Sequence, residues 1–290
     1  MGELFALLTA LLFAIGVILF KKSVGHVPPF ALNLFKNCVA ILLLAVTAAA
    51  LGQTNTRVIP AKDLLLIFMS GAIGIGVSDT LFFMTLDRLG ASRTALVDCL
   101  YSPCVILFSL LMLDEALPAL TVAGGVLIIG SVVIGSQRSF GEPIARNQFW
   151  IGCILGALAM ATVAFAIVLV KPLLNTYPLS LISTIRMAGG IAILVLVLPF
   201  HHDRQSVYAV FRPQPTWKWM LGGSFFGTYL SLITWLAGFK YSQAGTAALL
   251  NQTSTVLIVV FASLFLKERL TRLKLLAVAM AFVGAAVILS

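Results

Sequence analysis

The chain repeats itself. Its apolar residues fall into ten segments joined by short polar connections, and patterns in the first five return 153 residues later in the second five. Ser70, Gly74 and Ser78 recur as Gly223, Gly227 and Ser231, and Leu113-Asp114-Glu115-Ala116-Leu117 recurs as Leu266-Lys267-Glu268-Arg269-Leu270. Between 91–117 and 244–270, eight of twenty-seven positions are identical without a gap. An odd number of crossings per copy means that the second copy must enter a bilayer from the face opposite to the first. The sequence therefore predicts an all-α membrane protein with ten transmembrane helices, built as two inverted five-helix repeats over 1–137 and 148–290. Inverted halves around a midplane site are a common plan for secondary transporters.

Composition excludes a soluble domain. Sixty per cent of the residues are hydrophobic and ten per cent are charged, where soluble domains carry about 25% charged residues; mean hydropathy is +1.08. An apolar helix needs about 20 residues to cross the hydrocarbon core, and spans are predicted at 3–20, 30–51, 63–86, 93–113, 117–136, 149–170, 179–199, 217–239, 244–266 and 272–289. Glu3 precedes the first apolar run and Lys21 and Lys22 follow it, the reverse of a secretory leader, so that run is expected to stay as the first span.

The net charge of +9 reads as positive loops that orient the spans, since no basic run is interleaved with aromatics as a nucleic-acid interface would require. Thirteen of the nineteen Lys and Arg residues flank the odd-numbered connections and four flank the even-numbered ones. That bias places the odd connections in the cytoplasm and both termini outside. Cys38, Cys99, Cys104 and Cys153 all fall within predicted spans, without metal-ligand spacing, and read as buried small apolar residues. Neither a metal nor another cofactor is expected, and the absence of a GxxxxGK[ST] loop argues against direct drive by ATP.

With the tandem halves, the ten spans and the repeated Leu-x-Glu-x-Leu passage between the fourth and fifth span of each half, the chain resembles the EamA-type transporters of the drug/metabolite transporter superfamily over essentially its whole length. A cation eight residues past a proline also recurs, as Pro28 with Lys36 and Pro178 with Arg186. The resemblance implies movement of small metabolites across a bacterial-type inner membrane, often outward, with the substrate left open. It also implies termini in the cytoplasm, opposite to the charge bias.

Charges inside the hydrocarbon are costly and mark functional candidates. Four stand out: Lys36, Asp79, Asp98 and Arg186. The first three lie at one depth from the odd-numbered connections, roughly 8–11 Å in at 1.5 Å rise per residue, and form a candidate charge cluster. One reading is a self-neutralising ion pair that locks helices together; the other is a carboxylate exchanging between lysine, proton and substrate. In the second half Asp79 becomes Leu232 and Asp98 becomes Asn251, while the cation persists as Arg186. An uncompensated Arg186 suits an anionic substrate group, because guanidinium bonds carboxylates in bidentate fashion; the alternative is that it snorkels or bonds backbone carbonyls.

Polar and aromatic neighbours fill out the list. Asn33, Lys36 and Asn37 share a face, as do Thr94, Asp98 and Tyr101, while Asn251, Gln252 and Thr255 give the ninth span uncharged polarity. Phe82, Tyr101, Tyr229 and Trp235 are candidate pocket walls or ordinary packing. The stripes Ser70/Gly74/Ser78 and Gly223/Gly227/Ser231 follow the small-xxx-small rule for close helix approach. Pro103 is expected to kink the fourth span beside Asp98, and Glu115 and Glu268 to cap the helices they precede.

Taken together these residues favour a secondary transporter of a small, amino-acid-like or otherwise compact solute, with an anionic group and proton coupling as candidates and the lipid bilayer as its setting. A membrane scaffold is the runner-up. An intramembrane enzyme is disfavoured, because paired catalytic aspartates would have to compete with Lys36 and no HExxH or GxSxG motif is present.

Overall fold

A computed structural model of the chain describes residues 1–24, 26–53, 59–90, 93–94, 97–115, 117–136, 145–200, 204–265 and 272–289. Ten apolar helices occur among them: α1 (Gly2–Lys21), α2 (Pro29–Ala50), α3 (Ala61–Leu89), α4 (Asp98–Leu113), α5 (Ala119–Ser136), α6 (Arg146–Leu174), α7 (Leu179–Phe200), α8 (Trp217–Tyr241), α9 (Ala244–Phe265) and α10 (Arg272–Leu289). Seven of them (α1, α2, α3, α6, α7, α8 and α9) are long and apolar enough to cross a membrane. No β-sheet occurs among the described residues. Each predicted span coincides with one of these helices.

Local chemistry explains where the helices begin and end. Pro28 and Pro29 open α2, and Pro178 precedes α7; proline tolerates the first helical turn because its missing N–H has no partner there in any case. Gly90 ends α3 at φ +75°, a conformation that side chains with a Cβ resist. Asp114 ends α4 in the left-handed region, where aspartate is better tolerated than most residues. Pro103 falls in the first turn of the regular part of α4, just after a 3-10 turn at Asp98–Leu100. The proline therefore sits where its lost N–H matters least, and the irregularity comes before it rather than as a mid-span kink.

Packing displays the two-fold relation. α1 runs antiparallel to α8: Gly2 lies beside Tyr241, Gly16 meets the backbone of Gly227, and Phe20 covers Gly223. In the equivalent contact α6 runs antiparallel to α3, with Gly152 beside Leu89, Ser78 Oγ donating to the Ala159 carbonyl at 2.7 Å, and Ser70 Oγ donating to the Ala166 carbonyl at 2.5 Å. The two small-residue stripes thus both bring backbones close, with hydroxyl-to-carbonyl bonds between α3 and α6 and direct glycine contact between α8 and α1. Equivalent helices also run in opposite directions: α5 packs against α10 with Gly124 on Gly284 and Ile288, and the end of α2 meets the start of α7 through Ser180 donating to Gln53. The halves are inverted. One face of the bundle carries the even-numbered connections and the other carries the odd-numbered ones.

Leu42, Val46, Val126 and Leu196 project outward and are more than half exposed. A belt of this kind is solvated by hydrocarbon and not by water. Inside, α3 and α8 each carry a π-helical segment, Ala72–Val77 and Ser224–Leu230, at matching positions in the two repeats. Such wide turns loosen the regular carbonyl ladder and recur at functional sites. In α3 the freed carbonyls are met by α2: Asn33 Nδ2 donates to the carbonyls of Ile75 and Gly76, both at 3.1 Å, and Thr80 Oγ1 donates to Gly76 at 2.7 Å. Asn33 is in turn fixed by Asn37, whose Nδ2 donates to Asn33 Oδ1 at 2.9 Å.

Candidate functional site

The close pairs α1/α8 and α3/α6 leave a cavity of about 200 Å³ between the halves, lined also by α2, α4, α7 and α9. Lys36, Asp79, Asp98, Tyr101, Arg186, Trp235 and Asn251 all line it. Among the other candidates Phe82 joins the lining, whereas Tyr229 turns away to hydrogen-bond Thr47 at 2.6 Å and pack on Phe225. Much of the wall is apolar: α1 contributes Phe13 and Val17, and α6 contributes Met160 and Val163. Nothing in the apolar runs of α1 or α6 singled these residues out; the repeated antiparallel packing is what brings them inward.

Toward the odd-connection face, Lys36 Nζ lies 2.7 Å from Asp79 Oδ2 and donates to Asn37 Oδ1 at 2.8 Å. The Lys36 side chain is 5% exposed and that of Asp79 31%, so solvent reaches the pair through its acid. The expected three-member cluster is a pair. Asp98 takes part in none of the ion pairs seen among the described residues. Its Oδ1 is buried without a hydrogen-bond partner, although its side chain lines the cavity. The 3-10 turn at Asp98–Leu100 and the second half's Gln252 explain the separation: Gln252 Nε2 binds the Asp98 backbone carbonyl at 2.8 Å and ties the start of α4 to α9.

Toward the even-connection face, Arg186 is fully buried, so it does not snorkel. Its Nη1 donates to Ser70 Oγ and, at 3.3 Å, to the Ala166 carbonyl. Nε and Nη2 have no partner. The guanidinium lies 5.7 Å from the centre of the Trp235 ring, within cation–π range. Trp235 Nε1 donates to the Tyr101 hydroxyl at 3.2 Å, which links α8 to α4 across the halves. Asn251, the positional equivalent of Asp98, is buried with both side-chain polar atoms unpartnered. Two buried cations of opposite halves therefore face one cavity, one neutralised and the other held only by neutral oxygens.

Polar links between the halves cross the even-connection face. Glu115, which the left-handed Asp114 aims away from α4, reaches Lys171 Nζ at 2.6 Å with one oxygen and accepts from the Ala244 N–H at 2.8 Å with the other. Glu115 is thus a cap, but of α9 in the other half and not of α5. Its counterpart Glu268 lies outside the described residues. Tyr177 donates to Asp63 Oδ2 at 2.7 Å, a bond that raises the hydroxyl above the usual tyrosine range, and Ser180 donates to Gln53. The recurrence of Leu-x-Glu-x-Leu was the available signal for Glu115; Lys171 gave none. None of the four cysteines forms a disulfide; Cys99 is buried and the others are half-buried.

Comparison with known proteins agrees with this architecture. The sequence model of the EamA-like transporter family matches residues 1–136 and again 150–290, once per half. Uncharacterized transporter sll1164 of Synechocystis sp. (strain ATCC 27184 / PCC 6803 / Kazusa) is 21% identical over 236 residues, 79% of this chain; the chain spans 66% of that relative's length. A solved structure described only as "Crystal structure of protein" shares the fold, with a TM-score of 0.77 at 18% identity, covering 99% of this chain and 95% of the other. These likenesses, with the apolar helices, make the chain a multi-pass integral membrane protein of a transporter family. Matched by one family in both of its inverted halves, the chain belongs to the EamA-like transporter family, part of the drug/metabolite transporter superfamily.

Proposed function

We propose that the chain is a secondary transporter of a bacterial-type plasma membrane that exports a small metabolite bearing an anionic group, amino-acid-like in size. Arg186 is the partner of that group. The halves 1–137 and 148–290 rock against each other, so that the cavity opens to one face at a time. The observation that carries this reading is the fully buried Arg186 with Nε and Nη2 unpartnered at the cavity wall. A buried guanidinium with neutral partners is expensive, and a carboxylate or phosphate would supply the missing charge and two parallel hydrogen bonds. The polar links at the even-connection face and the solvent-reached Lys36–Asp79 pair near the other support alternating access. Outward direction rests on the habit of the family.

Thermal unfolding of the purified protein against a library of small carboxylates and phosphorylated metabolites tests the assignment, because a ligand that prefers the folded state raises its melting temperature. Stabilising anions should be found, and R186A should lose their effect. Lysine keeps the charge but not the fork, so R186K should retain only part of it. Anions that stabilise R186A as well as the parent would refute the assignment.

A further inference from the structure

We infer that Asp98 and Asn251 form a cation-binding subsite of the same cavity, for an ammonium group or a small monovalent metal ion. Two cavity-lining residues carry buried polar atoms without a partner here. Asp98 Oδ1 is buried without a partner, as are Oδ1 and Nδ2 of Asn251, and Thr94 Oγ1 on the preceding stretch is in the same condition. Asp98 and Asn251 both line the cavity. Their helices are joined at this level, since Gln252 Nε2 donates to the Asp98 carbonyl and Ser102 Oγ donates to the Ala248 carbonyl at 3.0 Å. The subsite is therefore built on the start of α4 and the interior of α9, fastened to each other.

The protein's own cations are engaged elsewhere. Lys36 is held by Asp79 and Asn37, and Arg186 by Ser70 and Ala166. A carboxylate oxygen left without a donor in a buried place is costly, and it is the natural partner of a cation brought from outside. Carboxylate and carboxamide oxygens suit both an ammonium, which needs acceptors, and a hard metal ion, which needs oxygen ligands. Sequence equivalence sharpens the point: Asp98 and Asn251 are the same position in the two repeats. One carries the charge, and the other offers a neutral oxygen of similar reach. The inference rests on the transporter reading only in taking the cavity as the place where solute binds.

The full-length protein in detergent is heated in methylammonium chloride, in sodium chloride and in N-methylglucamine chloride at matched ionic strength. Relative to N-methylglucamine, methylammonium or sodium should raise the melting temperature of the parent by about 2 °C or more, and D98N should show no such rise. A response to methylammonium alone assigns the subsite to the solute's own ammonium group, and one to sodium alone assigns it to a co-transported ion. D79N, which breaks the Lys36 pair, should start less stable yet keep the cation response. N251A should weaken the response and serves if D98N does not fold. Equal shifts in D98N and the parent, or no shift in the parent, overturn the proposal. The anion response of R186A, read separately, keeps that outcome distinct from failure of the Arg186 assignment.

Discussion

Replacing Glu115 by Gln should unlatch the even-connection face. The Glu115–Lys171 pair is 2.6 Å long with side chains only 21% and 14% exposed, and the second carboxylate oxygen caps α9 at Ala244. At an effective dielectric of about 20 the gross attraction is about 6 kcal/mol, most of it offset by desolvation. Glutamine keeps an acceptor for the Ala244 N–H but leaves Lys171 without a counter-charge. The net loss is that of one charge-assisted hydrogen bond, about 2 kcal/mol. If the link exists only while this face is closed, the whole loss falls on the closed state and shifts the equilibrium toward opening about 30-fold. The readout is the labelling rate of M187C, a cavity-lining position beside Arg186, by a membrane-impermeant maleimide applied from the even-connection face, with the four native cysteines replaced. E115Q should raise that rate about 30-fold. K171M should behave similarly, and the double variant should add little, as expected for one shared interaction. A rate within about twofold of the parent would show that the pair does not hold this face closed.

Three further outcomes follow from the packing. N33A strands the Ile75 carbonyl at the π-helical turn and leaves that of Gly76 to Thr80 alone, so thermal or denaturant unfolding should report a loss of about 1–3 kcal/mol; parental stability would mean that another donor serves Ile75. G227A places a Cβ against the Gly16 backbone and should cost about 1–3 kcal/mol, whereas G130A, whose nearest neighbour is Met280 Cε at 3.8 Å, should be tolerated. H26C and T176C occupy matching connections of the two repeats and should be labelled from opposite faces of the membrane; labelling from one face would contradict the inversion.

Much of the site was legible because ionisable residues are rare in apolar helices. Lys36, Asp79, Asp98 and Arg186 stood out on cost alone, helical spacing brought Tyr101 with them, and repeat equivalence to Asp98 brought Asn251. Depth along a helix was readable from residue counts, but rotation and neighbours were not. Asp98 sits near the level of the Lys36–Asp79 pair and still stands apart, because its place depends on a 3-10 turn and on Gln252 from the other half. The π-helical turns in α3 and α8 left no apolar signature beyond glycine-rich composition. Glu115 was read as a local cap because sequence proximity favours the adjoining helix, whereas the left-handed Asp114 sends it across to α9. Long-range polar contacts between inverted copies are visible only once the copies are docked.

Lys36 has an acid at 2.7 Å, while at the corresponding place in the other repeat Arg186 finds leucine where that acid would be. Were the copies identical, exchanging their conformations would give back the same molecule viewed from the other side, and the two end states would be degenerate. The copies are not identical: leucine and asparagine stand in the second where the first has Asp79 and Asp98, which lifts that degeneracy. In the proposed transport cycle the unloaded carrier would then have a preferred resting orientation, and an anionic cargo would even the balance as it docks. For the transporter proposed above a gradient still sets net flow, but which mouth waits open is written in those differences between the copies.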